Sequence, residues 1–159
     1  MRLVGYLSDT FDLFHVGHLN ILRYAKEHCD YLVVGVATDE LIHKTSGMHP
    51  VIPFNERLEI VRSVRSVDSA IADATGDWID AWGVLQFDCL FDRAANVVSS
   101  AEKLGAGIAI PDVEVVHLKP LPTTSSASLR DTLESINRLA RDVCFDVDPA
   151  SLAIRRALQ

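Results

Sequence analysis

Residues 4–37 read VGYLSDTFDLFHVGHLNILRYAKEHCDYLVVGVA, and this pattern indicates the architecture of the chain. Two apolar runs of strand length, Leu3–Leu7 and Tyr31–Ala37, are each followed by polar residues. Between them, apolar residues recur at helical spacing among charged ones: Leu19, Ile21, Leu22 and Ala25. Strand, loop, helix and strand in this order predict a βαβ unit with buried, parallel strands.

The alternation of helices and strands continues beyond this unit. Gly47, Pro50 and Pro53 predict a loop over Thr38–Pro53, and helical periodicity predicts a helix over Phe54–Val67. Weaker patterns predict six more elements: a strand Ser69–Ala72, a helix Asp77–Leu85, a strand Phe87–Phe91, a helix Val98–Leu104, a strand Val113–Leu118 and a closing helix Leu129–Leu139. The predicted fold is α/β, a Rossmann-like open parallel sheet with helices on both faces.

The domain organisation is predicted to be simple. Residues 1–140 are expected to form one domain, and residues 141–159 a C-terminal extension in which Pro149–Leu158 suit a short helix. A plain dinucleotide-binding Rossmann domain is disfavoured, because no GxGxxG follows the first predicted strand.

Charge, cysteine content and hydropathy exclude several classes of protein. The chain has 159 residues, a formal net charge of −7 and a pI near 5.2, whereas a nucleic-acid surface normally shows a basic excess. Its 3 cysteines form no CxxC pair, so reduced thiols are expected. The N-terminus has no signal-peptide pattern, and no apolar stretch reaches the ~18 residues of a membrane span. We therefore expect a cytoplasmic protein without nucleic-acid or membrane partners.

The residues best suited to bind a ligand lie in the turn before the first predicted helix, His15-Val16-Gly17-His18. Ligands of open α/β sheets bind at the carboxyl ends of strands, and a helix N-terminus there attracts anions. Both imidazoles can lie on one side of the first turn, while Gly17 lets a phosphate approach the backbone amides. The sequence thus predicts an anion-binding turn. Local capping by each histidine is the plainer alternative, and a zinc site with Asp12 is disfavoured because no further ligand is evident.

This turn resembles the HxGH signature of the cytidylyltransferase-like nucleotidyltransferases. The likeness runs from Val4 to about Ile136, and it is nearest to glycerol-3-phosphate cytidylyltransferases and their relatives. The segments that carry it occur in the family's order: TFDLFHVGHLNIL (10–22), TDE (38–40), PVIPFNERLEIV (50–61), Val67-Asp68 and SSASLR (125–130). The ordered set is much more specific than HxGH alone.

The resemblance implies nucleotidyl transfer from a nucleoside triphosphate to a small phosphate, with release of pyrophosphate and Mg²⁺ as counterion. Positioning and electrostatic stabilisation dominate such chemistry. By resemblance, the catalytic residues are His15, His18 and Lys44, and the nucleotide-binding residues are Thr10, Phe11, Asp12, Gly17, Arg57, Ser125, Ser126 and Arg130. For Arg57 a solvated helix charge is about equally plausible, and for Asp12 capping of its own loop.

Departures from the family pattern are concentrated on the acceptor side. Four are seen: Asp9 for a usual glycine, Ser46 and Met48 for common basic residues, Arg93-Ala94-Ala95-Asn96 for GDDW, and Pro120-Leu121 for an Arg-Thr pair. We therefore expect an acceptor other than glycerol 3-phosphate, a phosphate or phosphonate whose further negative charge meets Arg93 and Lys119. Surface charge is the plainer interpretation of both residues.

The resemblance also suggests the partners. CTP is the expected nucleotide, ATP is the alternative because adenylyltransferases share the signature, and a homodimer is implied. A function from another class stays open, namely a nucleotide-binding regulatory module with impaired catalysis.

Overall fold

A computed structural model of the chain describes residues 3–93, 113–118 and 124–145, the last four by backbone alone. The chain divides into two compact units, one ending at Thr123 and one beginning at Thr124. Within the described residues, the first unit holds the strands and all helices but one, and the second holds a single helix. The boundary at residue 140 between a domain and an extension stays a prediction.

Strands and helices alternate along the first unit, in the order β1 (Val4–Asp9), α1 (Val16–Glu27), β2 (Tyr31–Ala37), α2 (Asp39–Ser46), α3 (Phe54–Arg62), β3 (Ser69–Asp73), α4 (Trp78–Leu85), β4 (Cys89–Asp92) and β5 (Glu114–His117). The second unit contains α5 (Ser126–Phe145).

The strands form one parallel sheet in the order β3-β2-β1-β4-β5. Side chains alternate between the two faces of a strand, so neighbouring residues of β1 enter different cores. Leu7 packs in a cluster with Leu22 of α1, whereas Tyr6 packs in a second cluster with Trp78 of α4. Helices therefore cover both faces, and the predicted Rossmann-like α/β architecture is confirmed.

The loop predicted over Thr38–Pro53 is wrong in its first half, where α2 forms. The Thr38 hydroxyl accepts a hydrogen bond from the N–H of Leu41 at 3.2 Å and so caps the helix. Gly47 ends it with φ of 70°, in the left-handed region. Because Leu41 and Ile42 are its only buried residues, α2 shows no helical periodicity in the sequence. The capping residues Thr38 and Gly47 are the features of the sequence that indicate this helix.

Other boundaries differ more modestly. α3 ends at Arg62 rather than Val67, because the N–H groups of Val64 and Val67 bond to carbonyls three residues back. The predicted strand at Phe87 begins at Cys89, and α5 extends past the predicted helix at both ends. The predicted helices at 98–104 and 149–158 lie outside the described residues. In the described part of the chain, every helix is too short or too polar to cross a membrane.

Candidate active site

The order of the strands creates a crevice at one edge of the sheet. β1 lies between β2 and β4, and the chain runs first from β1 to β2 and only later crosses to β4. The loops that follow β1 and β4 therefore diverge at the carboxyl ends of these strands. In open α/β sheets this topological switch point is where ligands bind. The loop after β1 contains His15 and leads directly into α1.

His15 and His18 cap α1 through their own ring nitrogens. Nδ1 of His15 accepts a hydrogen bond from the N–H of Gly17 at 3.0 Å, and Nδ1 of His18 accepts one from the N–H of His15 at 3.3 Å. The two ring centroids are 4.0 Å apart. Because Nδ1 accepts in both rings, the proton of each neutral ring lies on Nε2. Each ring thus keeps one N–H donor, for which the described residues supply no partner.

Burial keeps both imidazoles neutral near pH 7. It lowers the pKa of His18 from 6.5 to about 4, while Asp9 opposes this shift and His15 and Arg93 add to it. The pKa of His15 is also lowered by burial and by Arg93, and Asp9 again opposes. His18 is only 2% exposed. The pair therefore offers neutral hydrogen-bond donors rather than imidazolium charges. Local capping, the plainer alternative, is present as well, and it is what fixes the tautomer.

The turn before His15 has an unusual backbone. Phe11 and Leu13 adopt φ of 52° and 50°, a left-handed conformation that is rare for bulky residues and costs roughly 1–2 kcal/mol. Phe11 is fully buried in the core, and its ring centroid lies 5.4 Å from that of His18. In the structure Phe11 thus packs against the His18 ring. A direct contact between Phe11 and the nucleotide stays a prediction.

Asp12 anchors this turn to a second loop. Its two carboxylate oxygens accept hydrogen bonds from the N–H groups of Val51 and Ile52, both at 2.9 Å, and the residue is 2% exposed. These bonds run to a loop about forty residues away in sequence, so Asp12 does more than cap its own loop. Its role in the structure is to orient the turn.

Arg57 is fully buried, so its interpretation as a solvated helix charge is wrong. Its guanidinium donates to the carbonyl of Ile52 at 2.9 Å, to the carbonyl of Thr10, and to Oδ1 of Asp39 at 2.7 Å. The three acceptors belong to the loop before α3, the loop after β1 and the first turn of α2. Arg57 and Asp12 thus tie the histidine turn to its neighbours from two sides. Direct binding of nucleotide by Arg57 stays a prediction.

The other expected residues of the first unit lie around this turn. Thr10 is exposed, and its N–H donates to Asp9 at 2.7 Å. The Gly17 amide, expected to be open to phosphate, donates to His15 in this structure. Lys44 lies on α2 and lines a shallow depression together with Asp39, Glu40, His43 and His49. Neither His15 nor His18 lines this depression.

The expected phosphate-binding residues Ser125, Ser126 and Arg130 belong to the second unit. Oγ of Ser125 accepts a hydrogen bond from the N–H of Ser128 at 3.1 Å, so the serine cluster starts a helix as predicted. Lys119, expected near the acceptor, lies outside the described residues. Arg93 immediately follows β4 and forms an ion pair with Asp9.

A cleft of about 350 Å³ opens at the carboxyl ends of the strands, on the face covered by α4. Among the described residues its lining includes three carboxylates and no basic side chain, and consists of Tyr6, Ser8, Asp9, Thr10, Ala37, Leu41, Ile42, Thr45, Asp73, Gly76, Trp78, Leu90 and Asp92. The indole Nε1–H of Trp78 is buried and has no partner within the described structure. A buried donor of this kind is costly unless a ligand or water satisfies it. Packing alone therefore leaves this polar group of Trp78 unsatisfied among the described residues.

The cleft also contains a polar network that was not predicted from the sequence. The Tyr6 hydroxyl is hydrogen-bonded to Ser8, and the Ser8 hydroxyl donates to Asp73. Asp73 also accepts from the N–H of Gly76 at 2.8 Å, which shapes the loop before α4. A Cβ at Gly35 would lie 2.3 Å from the Tyr6 hydroxyl, so only glycine leaves room for the ring. Glycine within a β2 run of aliphatic residues was the available signal.

The donor set suits Mg²⁺ only as a partner of bound phosphates. In the described residues no group of three His, Cys, Asp or Glu side chains is placed to hold a metal ion. Mg²⁺ keeps several waters and commonly binds through substrate phosphates with one or two carboxylates. Asp92 lines the cleft and would join such a complex, whereas Asp9 is paired with Arg93 and the oxygens of Asp12 accept amide hydrogen bonds.

Comparison with known proteins agrees with this geometry. Residues 7–84 match the cytidylyltransferase-like family. The chain is 42% identical to an FAD synthase of Pyrococcus abyssi over 76 residues, 48% of this chain and 51% of that protein. It is 46% identical to an ethanolamine-phosphate cytidylyltransferase of Arabidopsis thaliana over 69 residues, 43% of this chain and 16% of that protein. The matches thus span about half of the first relative and less of the second.

Solved structures share the fold. A lipopolysaccharide core biosynthesis protein of Thermoplasma volcanium superposes with a TM-score of 0.64 at 27% identity, covering 76% of this chain and 99% of that one. A pantothenate synthetase of Thermus thermophilus shares the fold at 16% identity, with a TM-score of 0.52 over 74% of this chain and 55% of that one. Residues 7–84 thus form a cytidylyltransferase-like domain, related to the nucleotidyltransferases that the chain matches in sequence.

Proposed function

We propose that the protein transfers a nucleotidyl group, with CMP preferred, from a nucleoside triphosphate to a small phosphate or phosphonate acceptor and releases pyrophosphate. The acceptor oxygen bonds to the α-phosphorus while the bond to the β-phosphate bridging oxygen breaks. Mg²⁺, held mainly by the triphosphate, would neutralise part of its charge. The observation that carries the proposal is the pair of Nε2–H donors at the N-terminus of α1.

This pair suits a reaction in which negative charge moves toward the leaving pyrophosphate. Both rings are fixed in one tautomer by backbone amides, so their donors need no reorganisation when charge develops. Neutral rings donate without a proton being lost to phosphate, and the helix N-terminus adds its own partial positive charge. The interlocking bonds of Asp12 and Arg57 hold the turn in place. We also assign binding of the β- and γ-phosphates to Ser125, Ser126 and Arg130.

The relatives differ in the nucleotide that their names imply. One relative is named a cytidylyltransferase, whereas the other is named for the synthesis of FAD, which contains adenine. CTP is proposed because the ordered set of motifs resembles the CTP-using branch, and adenylyl transfer is the alternative. The ratio of kcat/KM for CTP and ATP with one acceptor decides between them.

The cleft supports a revised view of the acceptor. Its described lining contains no basic side chain, and although Asp9 is paired with Arg93, Asp73 and Asp92 would repel a further negative charge on the acceptor. A neutral or cationic end of the acceptor fits better there. This argues against the expectation of a more anionic acceptor, while Arg93 remains available to its phosphate.

A regulatory module that binds nucleotide without turnover is the competing function. The test is incubation with each of the four triphosphates, Mg²⁺ and a panel of phosphorylated alcohols and phosphonates, followed by pyrophosphate release. Turnover with one pair supports the proposal. Tight nucleotide binding in calorimetry, without pyrophosphate release for any acceptor, supports the module instead.

We further propose a cytoplasmic homodimer. Within the described residues Cys29 and Cys89 are free, buried thiols, which suits a reducing compartment. The family resemblance supports the dimer. Sedimentation velocity at micromolar concentration tests it, and a single species of 17.5 kDa would contradict it.

A further inference from the structure

We infer that Asp9 and Arg93 act as one unit, in which Arg93 supplies positive charge where the two phosphates of the reaction meet and Asp9 holds it there. This inference rests on the proposed nucleotidyl transfer. The two residues were separate departures from the family pattern in the sequence. In the structure they contact each other across a sequence separation of 84 residues.

The ion pair spans the switch point of the sheet. Asp9 is the last residue of β1, and Arg93 directly follows β4, the neighbouring strand. On one side, Asp9 is followed by the turn that leads to His15 and His18. On the other side, Asp9 and Asp92 line the cleft proposed for the acceptor. The pair thus lies between the two places where the α-phosphate and the acceptor phosphate are expected.

The Arg93 side chain retains donors for a phosphate. Its contact with Asp9 uses Nη1, and the rest of the guanidinium has no partner among the described residues. A guanidinium carries five N–H donors in a rigid fork that matches phosphate oxygens. The side chain is 45% exposed, whereas that of Asp9 is 16% exposed. One edge of the fork is therefore held by Asp9, and the other remains open to a ligand.

The electrostatics place the pair within reach of the histidine turn. Arg93 lowers and Asp9 raises the pKa of both His15 and His18, so the two charges oppose each other at these rings. A lone carboxylate at position 9 would repel bound phosphates. With Arg93 beside it, the site gains a cation without net local repulsion. Pairing thus explains why a carboxylate is tolerated where the family usually has glycine.

A merely structural ion pair predicts a different outcome from a catalytic one. If the contact only joins β1 to the loop after β4, loss of either partner has the same effect and loss of both adds nothing. If Arg93 acts on phosphate, its loss lowers activity for two reasons. The positive charge is removed, and the carboxylate of Asp9 is left without its partner. Removing Asp9 as well then restores part of the activity.

The experiment compares Arg93→Gln, Asp9→Asn and the double variant with the wild type, with Arg65→Gln as control for an exposed arginine that does not line the cleft. Steady-state pyrophosphate release gives kcat and the acceptor KM, and calorimetry gives the Kd of inorganic pyrophosphate. Thermal midpoints check folding, and little change is expected because an exposed ion pair contributes little stability.

We expect Arg93→Gln to lower kcat by about 100-fold, the size of losing one preorganised donor, and Asp9→Asn to lower it by no more than about threefold. The double variant should recover about tenfold over Arg93→Gln. Equal losses in the two single variants, or no recovery in the double variant, would overturn the inference.

If the wild type shows no turnover, the proposed function fails and binding decides the inference separately. Pyrophosphate should then bind about tenfold more weakly to Arg93→Gln than to Asp9→Asn. Indistinguishable Kd values for these two variants would overturn it.

Discussion

Replacement of Arg57 by methionine tests whether the buried guanidinium holds the active-site loops together. Methionine is shorter than arginine but keeps an unbranched apolar stem packed against the core, and it removes the hydrogen bonds to Ile52, Thr10 and Asp39. The two carbonyls lose a charged donor in a site where Arg57 is 0% exposed. The Asp39 side chain is 38% exposed and regains water, so its share of the loss is small.

The expected magnitude follows from these contacts. A hydrogen bond to a charged group contributes about 1.5–3 kcal/mol, and a buried carbonyl left without a donor costs about 1–3 kcal/mol. Because the bonds share one donor group, their losses do not add in full. We expect Arg57→Met to lose about 3–5 kcal/mol of unfolding free energy. For a chain of this length the melting temperature should fall by roughly 10–15 °C.

Urea unfolding followed by tryptophan fluorescence measures this loss. The chain has 2 tryptophans, Trp78 and Trp82, and both lie in α4, so the signal reports on the sheet unit alone. Arg62→Met is the matched control, because Arg62 lies on the same helix and makes one long contact of 3.4 Å to Ala70. The control should change by less than about 1 kcal/mol. An Arg57→Met variant no less stable than this control would contradict the claim that Arg57 holds the active-site loops together.

Three further predictions follow from the structure. His15→Ala and His18→Ala should each lower kcat by about 100-fold or more with a smaller effect on nucleotide KM, and unchanged kcat in both would reject their role. Because the pKa of His18 falls from 6.5 to about 4 on folding, the neutral ring contributes stability that is present above pH 6.5 and is lost as pH falls toward 4. The difference should reach about 2–3 kcal/mol in urea titrations at pH 7 and pH 4, and its persistence in His18→Asn would count against this origin. Gly35→Ala should cost about 1–3 kcal/mol, because its Cβ would lie 2.3 Å from the Tyr6 hydroxyl, whereas Gly83→Ala, with nothing within 4 Å, should be neutral or stabilising; equal stabilities of the two variants would contradict this.

The fold was predictable because its signals are local. The apolar run of β2 and the periodicity of α1 each specify one element, and a βαβ unit leaves few ways to arrange the rest. α2 was missed because its stability depends on the Thr38 cap and the Gly47 terminus rather than on an apolar stripe. Capping residues are common outside helices too, so they indicate a helix only together with a buried face.

The candidate site was predictable only in part. The histidine turn is contiguous in sequence, whereas the Asp9–Arg93 contact joins the end of β1 to the residue after β4, and the Ser8–Asp73 contact joins β1 to β3. No local pattern contains such contacts, because parallel strands become neighbours only after crossover connections. The burial of Arg57 could not be predicted for the same reason. Its flanking glutamates suggested a solvated helix face, but the acceptors that bury it lie in three other segments.

The most direct test of nucleotidyl transfer follows the phosphate atoms. The protein is incubated with Mg²⁺, acceptor and CTP labelled either at the α-phosphate or at the γ-phosphate, and the products are separated. Nucleotidyl transfer predicts that the α-label enters the acceptor product in the same amount as the γ-label is released in pyrophosphate, and that His15→Ala slows both. Release of γ-label as inorganic phosphate, or its transfer to the acceptor, would contradict it, because the attack would then occur at the γ-phosphorus.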